Sequence, residues 1–328
     1  LDPAFVQLDE VQASAHFERA FRDWLDGILA MPPGGLALAM EMGLGISKVR
    51  ALAEVMQMHR ALLPMEIPVV QMPDIGRLVD VLDQSAKELR TLIQHCDPAD
   101  PGARDIRKIV GLADQVTSLW DIGDEKGVMR LLLTAAPELR HGAGVLAAWD
   151  DPDRGRRATV LRKEVRGALE AAQDELGTYV LMGLMPVIQD FVRSYADKRR
   201  HDGEATFDDL LIWARELLRD EQALRYFRKD ITRLIVDEFQ DTDPVQADIV
   251  MCLESEEAPP VGNDWTGMAP LKGRLAVVGD PKQSIYRFRR ADIAIFDDIR
   301  TGVMKPHKEQ ITQNFRSREQ VIAWVNRV

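Results

Sequence analysis

The sequence predicts an α/β unit over residues 201–328, preceded by a large, mostly α-helical segment over residues 1–200. Through most of the first 200 positions apolar residues recur at three- and four-residue steps, the period of an amphipathic helix, and strand-like alternation is hard to find. Beyond them, Leu234-Ile235-Val236 before Asp237 and the apolar run 275–278 before Gly279-Asp280 read as buried strands. A helical pattern over 245–253 lies between them. Strand, helix and strand in that order imply a parallel pair with the reactive groups at the carboxyl ends of the strands.

Taken in order, helices are expected over 11–29, 36–63, 75–93, 106–120 and 160–200. Breakers separate them at 31–35, 64–73, 97–102 and 150–155, where Pro, Gly and Asp gather. At Thr206 the character changes: its hydroxyl can cap a helix running to about Leu218, with Asp209 as the acid of a capping box. The segment 254–273, rich in Pro and Gly, reads as a surface excursion.

A formal net charge of -11 excludes a protein that holds nucleic acid by overall attraction, so any such contact must be local. Three basic clusters exist: Arg154, Arg156, Arg157, Arg162, Lys163 and Arg166; Lys198 to Arg200; and Arg287, Arg289 and Arg290. The first two read equally well as solvated helix faces. No apolar stretch approaches the roughly 20 residues needed to span a bilayer, and the opening residues lack the order of a signal peptide, so no membrane association and a cytoplasmic location are expected. Cys96 and Cys252 have neither zinc nor iron-sulfur spacing and read as core residues, and the six histidines do not cluster.

Three strings carry chemistry. In VDEFQDTDPVQ (236–246) a strand ends on two adjacent acids, a pattern suited to nucleotide hydrolysis. One carboxylate, Asp237, can hold Mg²⁺ and its neighbour Glu238 can orient or deprotonate the attacking water. In VVGDPKQSIYRFRRADI (277–293) Gln283 offers a neutral amide able to sense a terminal phosphate, and Tyr286 and Phe288 lie among Arg287, Arg289 and Arg290. Such a mixture of aromatic and basic residues suits base stacking beside neutralised phosphates, although a core-packed aromatic turn would read the same way. The third string, ITQNFRS (311–317), alone reads as a strand end before a helix over 318–328.

In this order the strings resemble the second, third and next motifs of superfamily 1 helicases in the form used by the UvrD/Rep family. The Pro281-Lys282 and Arg287-Phe288 choices look most like the AddA and RecB branch, the large subunits of helicase-nucleases. TFDDLL (206–211) resembles the family's return into the first motor domain, and the opening residues 1–13 loosely resemble the segment after the early motor motifs. The resemblance implies ATP and Mg²⁺ as cofactors and places Phe315 on the adenine ring. It puts Arg316, with Gln283, on the terminal phosphate, and Tyr286, Phe288 and Arg289 on the DNA side.

By the same resemblance, residues 201–328 are the C-terminal part of a first RecA-like P-loop motor domain, incomplete here, and 1–200 an insertion domain with connecting helices that contacts duplex DNA. A departure stands beside these likenesses. No Gly-Lys dipeptide occurs in the 328 residues, so they hold no phosphate-cradling loop of the Gly-x-x-x-x-Gly-Lys type, and the chain is expected to be an inactive internal piece of a translocase. Single-stranded and duplex DNA, and a second helicase-nuclease subunit of AddB or RecC type, are the expected partners. The rival readings are a catalytically silent scaffold subunit with a degenerate motor and a non-helicase, DNA-dependent P-loop ATPase.

Overall fold

Asp9 starts the first helix: its carboxylate accepts from the Gln12 N–H while the Gln12 side chain accepts from the Asp9 N–H, a reciprocal capping box. The computed structural model describes residues 5–135, 144–255, 268–287, 290–303, 309–310 and 317–327. The chain divides into two units, Leu1–Glu204 and Ala205–Val328. The boundary expected at 200/201 falls instead inside the last turn of a helix, which continues to His201 before the chain turns at Gly203 with φ 71°.

In the first unit, α1 (Glu10–Ile28), α2 (Gly34–Glu41), α3 (Ile46–Met58), α4 (Ile75–Leu92), α5 (Pro101–Asp121) and α6 (Glu125–Ala135) all pack on α7 (Pro152–His201). At 1.5 Å per residue the 50 residues of α7 extend about 75 Å. Its buried positions, among them Leu161, Val165, Leu169, Leu176, Val180, Leu184, Ile188 and Val192, fall at intervals of three, four or seven and form one stripe. Burial of each such aliphatic side chain stabilises by about 1.5–3 kcal/mol. Toward its C-terminal end the stripe turns aromatic. Phe191 meets Phe21 of α1 edge-on, centroids 5.5 Å apart, and lies 4.7 Å from the Trp24 ring.

Three expectations from the sequence give way in this unit. The stretch 36–63 is not one helix: it ends at Glu41, turns at Gly43 with φ 87°, and restarts after Gly45. Apolar periodicity runs through this turn and hides it, whereas two glycines spaced by one residue mark it. The segment 150–155 starts α7 rather than breaking it: Asp151 caps the helix, Pro152 occupies its first turn, and Gly155 lies inside. A Cβ on Gly155 would stand 2.9–3.0 Å from Trp149 and Leu146, so this glycine serves packing. Likewise α5 begins at Pro101, capped by Asp100, five residues before its expected start.

The first basic cluster is largely consumed inside the unit. Arg157 forks onto Glu88 of α4, with Nε and Nη2 at 2.6 and 2.8 Å from the two carboxylate oxygens. Arg162 and Arg166 lie 3.8 and 3.4 Å from the buried Asp105 of α5. Arg154 pairs with Asp150 at 2.9 Å, and Arg156 with Asp153. In the second cluster Lys198 pairs with Asp202, while Arg199 is buried over the Tyr195 ring, 4.0 Å from its centroid.

The second unit opens with α8 (Phe207–Leu217), capped as expected by the Thr206–Asp209 box. Next come α9 (Glu221–Asp230), unforeseen from the sequence, and the strand Leu234–Val236. After α10 (Pro244–Glu254) the strand Leu275–Val277 pairs with the first in parallel, Leu234 opposite Leu275 and Val236 opposite Val277. The expected parallel strand–helix–strand unit is therefore present. Phe239, Ala247, Met251, Leu275, Ile295 and Phe296 form the core on one side, the last two from α11 (Ile293–Asp298). Ile235, on the other face, is 70% exposed. A final helix, α12, covers Glu319–Val325. Within the 254–273 excursion, Ser255 bridges Pro270, and residues 256–267 lie outside the described set. Cys96 and Cys252 are buried free thiols, as expected of core residues, and no helix among the described residues is long and apolar enough to cross a membrane.

Packing and charge each give a test. A Cβ on Gly35 would lie 1.8 Å from the Gly183 carbonyl oxygen of α7, backbone against backbone, whereas one on Gly34 meets nothing within 4 Å. Gly35→Ala should therefore destabilise by about 1–3 kcal/mol or more in urea unfolding, with Gly34→Ala as the tolerated control. In α10, burial pushes the Asp248 carboxyl up to about 6 although Arg215 lies 3.4 Å away. Between about pH 4 and about pH 6 the folded state then holds a proton that the unfolded chain has released. Stability from this group should fall as pH rises through that window, by about 1–3 kcal/mol, and level off above it. Unfolding midpoints across that range should show the slope in the parent chain and lose it in Asp248→Asn.

Candidate functional site

Where the first strand stops, the backbone reverses within one residue. Glu238 sits in the left-handed region, φ 52° and ψ 40°, a conformation that costs a side-chain-bearing residue roughly 1–2 kcal/mol. Strain of this kind persists where neighbouring bonds over-determine it, and it gathers at functional positions. Here the Glu238 N–H donates to Asp237 Oδ1 at 2.9 Å and the Asp241 N–H donates to the Glu238 carbonyl at 2.9 Å. A 3₁₀ turn, Phe239–Asp241, follows and drops Phe239 into the core. Both carboxylates, Asp237 and Glu238, are left exposed at the carboxyl end of the strand.

The second strand delivers its turn alongside. The Val278 N–H donates to the Val236 carbonyl at 2.8 Å and the Phe239 N–H to the Val278 carbonyl at 2.9 Å, so pairing continues past both strand ends. Gly279 then passes against the buried Gln240: a Cβ there would lie 2.5 Å from Gln240 Oε1 and 3.0 Å from Phe296. No side chain fits that crossing, which accounts for glycine in the Gly279-Asp280 pair. Asp280 caps the short turn Pro281–Gln283, its Oδ1 accepting from the Lys282 N–H at 3.0 Å and its Oδ2 from Gln283 Nε2 at 3.0 Å. These bonds, the Gln283 amide foremost, hold the Asp280 carboxyl below the usual carboxylate range.

Gln240, 1% exposed, joins the two turns. Its Nε2 donates to Glu238 Oε2 at 2.7 Å, its Oε1 accepts from the Asp280 N–H at 3.0 Å, and its main-chain carbonyl accepts from the Ser284 hydroxyl at 3.2 Å. Glu238 and Gln283, which belong to separate strings, are thus connected through Gln240 and Asp280. Sequence reasoning does not single out Gln240. It lies two residues past Glu238 inside a recognised string, but burial of its amide depends on strand pairing that sequence alone does not display.

Tyr286 is 38% exposed beyond this turn, and its carbonyl accepts from the Ala291 N–H at 3.3 Å. Arg290 leaves the basic cluster in which the sequence placed it. Its guanidinium pairs with Asp208 in the first turn of α8 and lies 3.7 Å from Asp243, the cap of α10. A left-handed backbone, φ 68°, turns it inward. Phe288, Arg289, Phe315 and Arg316 lie outside the described residues.

Among the described residues no group of three or more His, Cys, Asp or Glu gathers as a metal cage. Mg²⁺ in nucleotide sites is commonly held by only one or two carboxylates together with phosphate oxygens and water. An exposed Asp237 at a strand's carboxyl end, with one oxygen engaged by the Glu238 N–H, fits that donor set.

Residues 169–303 match the family model described as UvrD/REP helicase N-terminal domain. The chain is 34% identical over 149 residues to the ATP-dependent helicase/nuclease AddA subunit of Carboxydothermus hydrogenoformans, covering 45% of this chain and 11% of that protein. It is 32% identical over 168 residues to the subunit of the same name from Syntrophomonas wolfei, covering 49% and 12%. A longer match, 27% over 252 residues, covers 69% of this chain and 19% of the Alkaliphilus metalliredigens subunit. The chain therefore spans about a tenth to a fifth of the length of these relatives, and over that part the likeness to UvrD/Rep-type helicases of the AddA kind is borne out.

Gly279→Ala should test the crossing. In this chain it should lower stability by about 1–3 kcal/mol in urea unfolding, because neither Gln240 nor Phe296 has room to give way. Val278→Ala, at a position 50% exposed, should stay within about 0.5 kcal/mol of the parent chain.

Proposed function

We propose that this chain, with its UvrD/REP helicase N-terminal segment, is an internal part of an ATP-dependent DNA helicase or translocase, the large subunit of a helicase-nuclease serving DNA repair and recombination. Residues 201–328 belong in this reading to the C-terminal part of a RecA-like first motor domain, and residues 1–200 form a helical insertion domain. The observation that carries the proposal is the chain of bonds from Glu238 through Gln240 and Asp280 to Gln283, at the carboxyl ends of two parallel strands. In open α/β sheets that edge is where ligands bind.

Asp237 would hold the nucleotide-bound Mg²⁺, whose charge offsets that developing on the phosphates. Glu238, exposed beside it, orients the attacking water and accepts its proton. Gln283 presents an amide to the terminal phosphate. Phe315 stacks on adenine and Arg316 forks onto the terminal phosphate, a task suited to a planar, permanently charged group. Tyr286, Phe288 and Arg289 face single-stranded DNA, and the insertion faces the duplex. A second helicase-nuclease subunit, of AddB or RecC type, would complete the assembly in the cytoplasm. The exposed, intact acid pair favours a working motor over a silent scaffold subunit, in which these side chains would be free to change.

An ATPase assay with saturating single-stranded DNA tests this reading. The 328 residues alone should give background rates, because no Gly-rich segment among them can cradle the phosphates. The full-length parent should turn over ATP, and its Glu238→Gln variant should bind ATP with near-normal affinity and fail to hydrolyse it, since the amide keeps shape but takes no proton. Near-normal turnover by that variant would remove Glu238 from the role. Turnover by the 328 residues that vanishes on the same substitution would remove the need for a phosphate loop.

A further inference from the structure

We infer that Gln240 is a positioning residue for ATP hydrolysis, holding the water-directing Glu238 and the phosphate-sensing Gln283 in one fixed relation; this rests on the proposed roles of those two residues. A buried carboxamide has strict requirements. Gln240 carries two N–H donors and an acceptor in a space closed to water, 1% exposed, so each must find a protein partner. The structure supplies them on opposite sides. Nε2 faces two carboxylates, Glu238 Oε2 at 2.7 Å and Asp241 Oδ2 at 3.4 Å, while Oε1 faces the Asp280 N–H at 3.0 Å. Only this orientation of the amide satisfies both ends. The reverse would set its oxygen against two carboxylates and its donors against an N–H.

No other common side chain of this size meets both demands. Leucine keeps the bulk and leaves Glu238 and the Asp280 N–H without their bonds. Glutamate keeps the shape and, when ionised, sets a third carboxylate against Glu238 and Asp241. The far side of the link is equally constrained: Asp280 receives Gln240 through its N–H and holds Gln283 Nε2 through its carboxylate at 3.0 Å, and the Ser284 hydroxyl closes onto the Gln240 carbonyl at 3.2 Å. Ser284 stands two residues before Tyr286, on the segment assigned to DNA. A displacement of that segment is therefore felt at Glu238 through Gln240, and the glutamate points correctly only when the second turn is seated.

The experiment uses the full-length parent with saturating single-stranded DNA and compares Glu238→Gln, Gln240→Leu and Gln240→Glu, with thermal stability measured on each. Positioning predicts that Gln240→Leu lowers kcat about 10- to 100-fold, the usual range for outer-shell partners of a reactive group, with KM for ATP changed less than about threefold. Gln240→Glu should recover as the medium is acidified from about pH 8 toward pH 6. Its protonated carboxyl can donate to Glu238 and accept from the Asp280 N–H as the amide does. Recovery relative to the parent at each pH is a response that damaged packing would not give.

If Gln240→Leu turns over like the parent while Glu238→Gln is silent, the positioning role is overturned and the site reading stands. Turnover by Glu238→Gln overturns the site reading itself. Loss of kcat together with raised KM, lowered melting temperature and no acid recovery in Gln240→Glu makes Gln240 a packing residue only, and overturns the inference.

Discussion

A carboxamide shut away from water must be satisfied at both ends, and the second unit is arranged around that demand at Gln240. To bring the Asp280 N–H within 3.0 Å of its oxygen, the second strand must lie parallel to the first and leave it at a residue without a side chain, Gly279. To bring Glu238 within 2.7 Å of its nitrogen, the backbone must reverse in the left-handed region immediately after the first strand. Strained backbone, bare glycine and parallel register are thus three faces of one constraint. Each would be unfavourable or arbitrary alone.

The first unit follows another logic. Its stability is spread along α7, where aliphatic and then aromatic side chains are covered in turn by α1 through α6. No single polar contact governs it. Closest approach occurs where α2 crosses α7 at Gly35 and Gly183, and the missing side chain there sets how near the two backbones come. The same helix carries Pro186, whose ring nitrogen cannot donate to the carbonyl of Met182, so the helix gives up one internal bond near that crossing.

Local signals were legible in the sequence and distant ones were not. Thr206 and Asp209 announce a helix start within four residues, and the structure contains that box. The two apolar runs before acidic residues read as strands because nothing beyond their own composition was needed. By contrast, the turn at Gly43 is masked by apolar residues on both sides, and the start of α7 resembles a loop until Asp151 is seen capping it. At the site, Asp237, Glu238 and Gln283 stand out because their chemistry is borne by exposed or terminal groups. Gln240 and Arg290 do not: one is defined by burial against a turn 40 residues away, the other by acids in two helices.

The arginines of α7 have a consequence for ionic strength. A guanidinium already neutralised by Glu88 or Asp105 keeps few mobile ions around it, so a polyanion laid along that side of the helix sets few of them free. Counterion release is the main entropic drive of nonspecific association with DNA, and it scales with the number of phosphates newly neutralised. If the helical unit meets a duplex through this face, its affinity should depend weakly on added salt unless the internal pairs first open. A steep dependence would report arginines changing partners from carboxylate to phosphate.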